Sequence, residues 1–254
     1  LNGYYVLMIA PMEMLVEEEL NKLRIRIDSI DKQLLELIIE RADIVKNIAS
    51  IKDSKGVDIL RPGREVDLLD DLFKKNNDFL DGPSIINIWR EIISTITNSV
   101  QSSFEILIVD SLDSNLGIEV RNYYGAKTKK IFNCSEADAI KKITESKKYL
   151  AILPSNGDWW KKKLPLNVNI FGALPIVNEK PLGFLLGQVN NEKARRNKTV
   201  IAYDKKNKEM INKKYRIEAL DSSDIIEFGI IEGYFQSFED FNISVLGSYG
   251  YINP

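Results

Sequence analysis

The chain has 254 residues, of which 44% are hydrophobic and 28% charged, enough apolar material for one or two cores of an ordinary soluble protein. A formal net charge of −2 gives no reason to expect nucleic acid or an anionic membrane as partner, and a single cysteine, Cys134, fits a reducing, cytoplasmic compartment. Histidine is absent altogether, which excludes histidine-dependent triads and proton shuttles and argues against a bound transition metal.

The opening LNGYYVLMIAPMEM is apolar but has neither a basic n-region nor a small-residue cleavage site, so it does not read as a signal peptide. No apolar run approaches the roughly 18 residues of a membrane span. Residues 1–16 are expected to form a disordered N-terminal extension.

From Glu17 to Asp53 the pattern is that of one long amphipathic helix. Leu20, Leu23, Ile27, Ile30, Leu34, Leu37, Val45 and Ile48 recur at three- and four-residue steps without Gly or Pro. Arg41 interrupts this apolar stripe between Leu37 and Val45. Lys52 lies 11 residues on, about 20° away around the axis at ~100° per residue, so the two cations share a face. Two readings of them are open. In one, Arg41 pairs with an internal Glu and Lys52 snorkels out at the helix end; in the other, both await an anion that is brought in.

After SKGVDI, a polar break, Pro62 suits the first turn of a second helix ending near Asn76, with Leu68, Leu69, Leu72 and Phe73 on one face. Arg61, Arg64 and Glu65 fall in its first turn, where cations oppose the helix dipole. That leaves Arg61 and Arg64 either as solvated surface or as an anion-related pair. A third helix follows DGPS, from about Ser84 to Gln101, with the stripe Ile85, Ile88, Trp89, Ile92, Ile93 and Ile96. Three such helices cannot close a core by themselves, because a helix of this length reaches ~50 Å. An intertwined homodimer is the economical solution.

The residues LRIRIDSIDKQLLELIIERADIVKNIASIK, then LRPGRE, then IWREIIS, resemble the all-helical class of chorismate mutase, in the form that opens bifunctional mutase–dehydratase proteins. The resemblance covers about residues 18–103. It implies that Arg41 binds a substrate carboxylate, that Lys52 contacts the ether oxygen and that Glu65 holds the substrate hydroxyl. It also implies that Arg24 reaches into the partner's site; Arg61 and Arg64, beside Glu65, are further candidates for substrate binding. A Gln or Glu near the end of the third helix falls on Gln101, if one residue is inserted in TITNSVQ, or its place is taken by Val100. A polar residue one turn earlier falls on Ile96 or Thr97. Arg24 and Arg41 are 17 residues apart, or about 100° around the helix, which suits two sites shared across a dimer better than one site in one chain.

The implied reaction is the pericyclic rearrangement of chorismate to prephenate, which needs no cofactor, metal, nucleophile or base. Arginines hold the dianion in its reactive conformer, and a lysine stabilises charge growing on the ether oxygen. A non-enzymatic regulatory module on the same helical dimer and an isochorismate pyruvate lyase are the alternatives.

Beyond Gln101, FEILIVD, LGIEVRNYYG, KTKKIFN, SEADAIKKITES and YLAILPS read as an α/β unit, with Ser135 as an N-cap. Their order resembles the first half of a prephenate dehydratase domain, without that family's Thr-Arg-Phe motif. The strand-rich remainder, KTVIAYD, YRIEALD, IIEFGIIEGYF and ISVLGSYGY, faintly resembles a regulatory ACT domain, whose Gly-Ala-Leu and Glu-Ser-Arg-Pro motifs are missing. Trp159 and Trp160 are expected in a core or interface. The expected architecture is therefore an extension (1–16), an all-α, three-helix intertwined dimeric mutase domain (17–103) and an α/β or α+β dehydratase-like domain (104–254) that has lost its catalysis.

Overall fold

In the computed structural model, residues 3–53, 60–100, 104–177, 179–239 and 243–253 are described, with side chains over 14–51 in the first of these stretches. The chain divides into two compact units, Leu1–Ile48 and Ala49–Pro254. No helix among the described residues is long and apolar enough to cross a membrane.

The first unit is helix. α1 runs unbroken from Gly3 to Asp53, so helix takes in residues 3–16 where an extension without structure was expected. The physical reason is visible in the sequence: Val6, Leu7, Met8, Ile9 and Ala10 are followed by Met12, Glu13, Met14 and Leu15, with only Pro11 against a helix. The apolar stripe expected on this helix is exposed along most of its length, at Leu20, Leu23, Ile27, Ile30, Leu34, Leu37 and Ile48.

The second unit carries two further helices and a nine-stranded sheet. α2 (Pro62–Phe73) starts at the proline expected in its first turn and stops three residues before the expected end. α3 spans Gly82–Val100. Of the expected stripe Ile85, Ile93 and Ile96 are buried, joined by Ile86, Arg90 and Ser94, whereas Ile88 is exposed. Val66 and Leu69 of α2 and Ile86 and Ile93 of α3 form one apolar cluster with Ile176 and Ile252 from the α/β part. α2 and α3 thus close their core on the sheet domain of their own chain.

The sheet combines β1 (Glu105–Ile108), β2 (Lys129–Ile131), β3 (Tyr149–Pro154), β4 (Asn169–Leu174), β5 (Gly183–Gly187), β6 (Asn197–Asp204), β7 (Ile217–Ser222), β8 (Ile226–Glu232) and β9 (Ser244–Gly250), in the order β2-β1-β3-β5-β4-β9-β6-β8-β7. In its first half β1, β2 and β3 are parallel, as strands linked through α4 (Asn115–Tyr124) and α5 (Glu136–Glu145) have to be. The N-caps are local: Ser114 Oγ accepts from the Gly117 amide, and Ser135 Oγ, as expected, from that of Asp138.

The second half is antiparallel around β6, which pairs with β8 and β9. β6 alternates between two cores. Ile201 and Tyr203 face α6 (Lys208–Tyr215) through Ile211, while Val200 and Ala202 face a cluster containing Trp159, Trp160 and Phe228. Both tryptophans are core residues: Trp160 stacks on Phe228 with ring centroids 5.2 Å apart, and the Trp159 indole N–H donates to the Pro154 carbonyl at 2.7 Å.

Candidate active site

α1 carries Arg24 and Arg41 in the first unit, and Lys52 in its last turn, which belongs to the second. Arg24 is exposed and donates to Glu17 Oε1 at 3.1 Å, two turns back along the same helix. Arg41 is half-buried. The backbone of Lys52 lies in the last turn of α1, and its side chain is outside the described residues. Gln101 is outside them as well, one position past the end of α3.

In the second unit, the first turn of α2 brings Arg61, Arg64 and Glu65 to the α/β domain. Pro62 at the start of the helix fixes the backbone, and Arg61 at the N-cap position offers no side-chain cap. The cap comes from far along the chain. Glu192 accepts from Arg61 Nε at 2.6 Å and, more weakly, from the Arg64 amide at 3.4 Å. Burial would raise the Glu192 carboxyl, but the Arg61 guanidinium and the amides of Arg64 and Gly63 outweigh it and hold the group below its ordinary value. The same bond raises Arg61. A carboxylate at the start of a helix complements both the free amides and the dipole there. The anion beside Arg61 is therefore one the chain supplies, while the Arg64 side chain stands exposed.

Glu65 points into the helical cluster. Its Oε2 accepts from Arg90 Nη1 at 2.6 Å, and Arg90 Nε donates to the Tyr123 carbonyl at 2.8 Å. The guanidinium carbon lies over the Tyr123 ring, 3.6 Å from its centroid. Arg90 is only 3% exposed. Burial works against its charge, but Tyr123 and Glu65 more than compensate and raise its affinity for the proton. The buried guanidinium thus has a carboxylate, a carbonyl and an aromatic face as partners. Beside it lies a small, partly open space of about 30 Å³, walled by Glu65, Arg90, Thr97, Ser94, Tyr123 and Phe104 among others, enough to hold water.

Arg90, Tyr123 and Glu192 are not among the residues the sequence singles out. Arg90 had a signal: it sits four residues after Ile86 and three before Ile93, on the apolar face, just as Arg41 does on α1. Glu192 had none, because nothing in a polar loop indicates that it will meet a helix start 128 residues away.

A second polar seam ties α2 to the loop before β6. The Arg195 guanidinium pairs with Asp71, its amide donates to Asp67 at 2.9 Å, and Arg196 Nη1 reaches the buried Asp70 at 3.0 Å. Asp71 is held low by the Arg195 bond despite the opposing effect of burial.

Comparison with known proteins bears on the helical part of the chain. The family model for chorismate mutase type II matches residues 23–101. The bifunctional chorismate mutase/prephenate dehydratase of Aquifex aeolicus is 37% identical over 81 residues, which is 30% of this chain and 22% of that protein. The Pseudomonas aeruginosa protein of the same description is 36% identical over 84 residues, 31% of this chain and 23% of that protein. The chorismate mutase of Methanocaldococcus jannaschii is 40% identical over 57 residues, 22% of this chain and 58% of that protein. A solved prephenate dehydratase from Streptococcus mutans gives a TM-score of 0.41 at 10% identity, covering 60% of this chain and 100% of that one. The matches to the two bifunctional proteins thus span less than a quarter of their length. Residues 23–101 are similar in sequence to chorismate mutases of type II.

Proposed function

We propose that this chain is a chorismate mutase that rearranges chorismate to prephenate in aromatic amino acid biosynthesis in the cytoplasm. The observation that carries the reading is the family match over residues 23–101, which takes in Arg24, Arg41, Lys52, Glu65 and Gln101. Arg41 anchors a substrate carboxylate, Lys52 and Gln101 meet the ether oxygen, and Glu65 accepts from the substrate hydroxyl. Arg24 and Arg64 assist binding, while Arg61 is held by Glu192. The work needed is orientation of a dianion and stabilisation of an oxygen that gains negative charge, and cations with fixed donors suffice for both.

The active form in this reading is a homodimer in which Arg24 of one chain completes the site of the other. The exposed apolar stripe of α1 supports it: Leu23 is 58% exposed and Leu37 61%, and a contiguous apolar face of this length calls for a cover. The α/β region, 104–254, is a non-catalytic, dehydratase-derived appendage. Its last part is ACT-like, a reading that the order β6, α6, β7, β8, β9 supports, since it follows a split βαβ pattern.

One observation favours a second reading, a non-enzymatic regulatory module on the same helices: the Glu65 carboxylate is already engaged by Arg90. An assay of the purified chain separates the possibilities. Loss of chorismate absorbance with prephenate as product supports the mutase, release of pyruvate from isochorismate supports a lyase, and no turnover of either leaves the regulatory module.

A further inference from the structure

Arg90 joins two parts of the chain through one guanidinium. Its Nη1 donates to Glu65 Oε2 at 2.6 Å on α2. The other end is seated on α4, where Nε donates to the Tyr123 carbonyl at 2.8 Å and the guanidinium carbon lies 3.6 Å from the centroid of the Tyr123 ring. Buried and held at these points, the planar fork has little freedom to turn. Glu65 is therefore fixed from one side while its side chain stays 24% exposed. Among the described residues its carboxylate bonds to Arg90 through Oε2, and since a carboxylate accepts at both oxygens, Oε1 remains open to a further donor.

Docking of α3 does not require this pair. Glu91 accepts from the Ala126 amide at 3.1 Å, Asn98 Nδ2 donates to Thr128 Oγ1 at 2.6 Å, and Ile86 and Ile93, on either side of Arg90 in sequence, pack in one cluster with Val66 and Leu69 of α2. A buried ion pair adds little stability over an apolar side chain of similar volume. What an apolar residue at position 90 cannot supply is direction: a donor that holds one oxygen of Glu65 and so aims the other.

On the mutase reading, on which this inference rests, Glu65 accepts from the substrate hydroxyl. We infer that Arg90 is a positioning residue of that site, holding Glu65 in the orientation that receives the hydroxyl, and that Tyr123, through Arg90, gives the α/β part a share in the mutase site. Arg90 itself touches no substrate. Steady-state rates of the full chain with chorismate and with the chorismate analogue lacking the ring hydroxyl test it. A hydrogen bond to a charged group makes the wild type prefer chorismate by at least about tenfold in kcat/KM. Arg90→Met is expected to lose most of that preference, through a fall with chorismate and little change with the analogue, as is Glu65→Ala. The double variant is expected to lose no more than the worse single one, because both substitutions remove the same contact. Arg90→Lys keeps a cation for the fold but not the planar fork, so it is expected to hold the melting temperature and still lose preference severalfold. Full preference in Arg90→Lys or in folded Arg90→Met, or an equal fall with both compounds, as a merely structural residue would give, overturns the positioning role. A wild type that turns over neither compound overturns the mutase reading itself, and an active wild type indifferent to the hydroxyl overturns the role of Glu65.

Discussion

Glu65→Ala tests whether the first turn of α2 is anchored as described. The substitution removes the carboxylate that Arg90 Nη1 reaches at 2.6 Å and leaves a guanidinium that is 3% exposed with the Tyr123 carbonyl and ring as its remaining partners. Breaking a buried pair from one side costs ~3–5 kcal/mol, because the surviving charge stays desolvated. The Glu65 end is partly open, its side chain 24% exposed, so some water can follow, and a loss near the lower bound, ~3 kcal/mol, is expected. Glu65→Ala combined with Arg90→Met removes the stranded charge and refills its volume with an apolar chain, so the double variant is expected to recover at least ~1 kcal/mol of the loss. Urea unfolding followed by tryptophan fluorescence measures both, with Trp89 on α3 near the perturbation. A Glu65→Ala protein within ~0.5 kcal/mol of wild type, or a double variant less stable than the single, would refute the anchoring argument.

Other expectations follow from the remaining sites. Glu192 has a folded pKa held below its unfolded value, so its stabilisation is full above the ordinary glutamate range, ~4.3, and is lost as pH falls through the lower folded value. As pH falls below the ordinary glutamate range, ~4.3, the wild type should therefore lose more stability than Glu192→Gln, and parallel pH profiles of the urea midpoint would sink the claim. Arg24→Ala and Arg41→Ala proteins, each nearly inactive alone, should return roughly a quarter of wild-type activity when co-refolded one to one, since about half the dimers are mixed and each mixed dimer has one intact site. Mixed dimers as dead as their parents would place Arg24 within its own chain. Supplied with prephenate, the purified chain should make no phenylpyruvate above a heat-killed control, because the Thr-Arg-Phe motif is missing.

How much of this was legible in the sequence depended on whether the determining contacts are local. The long helix was clear from eight apolar positions at helical spacing, and Arg41 stood out because its neighbours on the stripe are Leu37 and Val45. Pro62 and Ser135 marked their helix starts for the same reason: the chemistry of a cap is complete within four residues. The strands β6, β7, β8 and β9 appeared as β-branched and aromatic runs. β4 and β5 did not: NIFGAL has a glycine at its centre, GFLLG is bounded by glycine at both ends, and both look like loop until the neighbouring strands are known. α6 carries no clear stripe, since KEMINKKY has only Met210, Ile211 and Tyr215 among polar residues, and its place is set by packing of Ile211 and Tyr215 in the cluster around Tyr203. The site divides in the same way. Glu65 could be named from the R-P-x-R-E spacing, but its partner Arg90 and the cap from Glu192 arise only when α2 and α3 settle on the α/β domain, over separations of 25 and 128 residues.

The most direct test of the central claim is the chorismate mutase rate of Arg41→Ala beside wild type. A charge-assisted, two-pronged carboxylate contact is worth roughly 2–4 kcal/mol in the transition state, and kcat/KM is expected to fall at least about a hundredfold while the circular dichroism and melting temperature stay those of the wild type. An Arg41→Ala protein that retains its activity, or a wild-type chain that leaves chorismate untouched, would contradict the account.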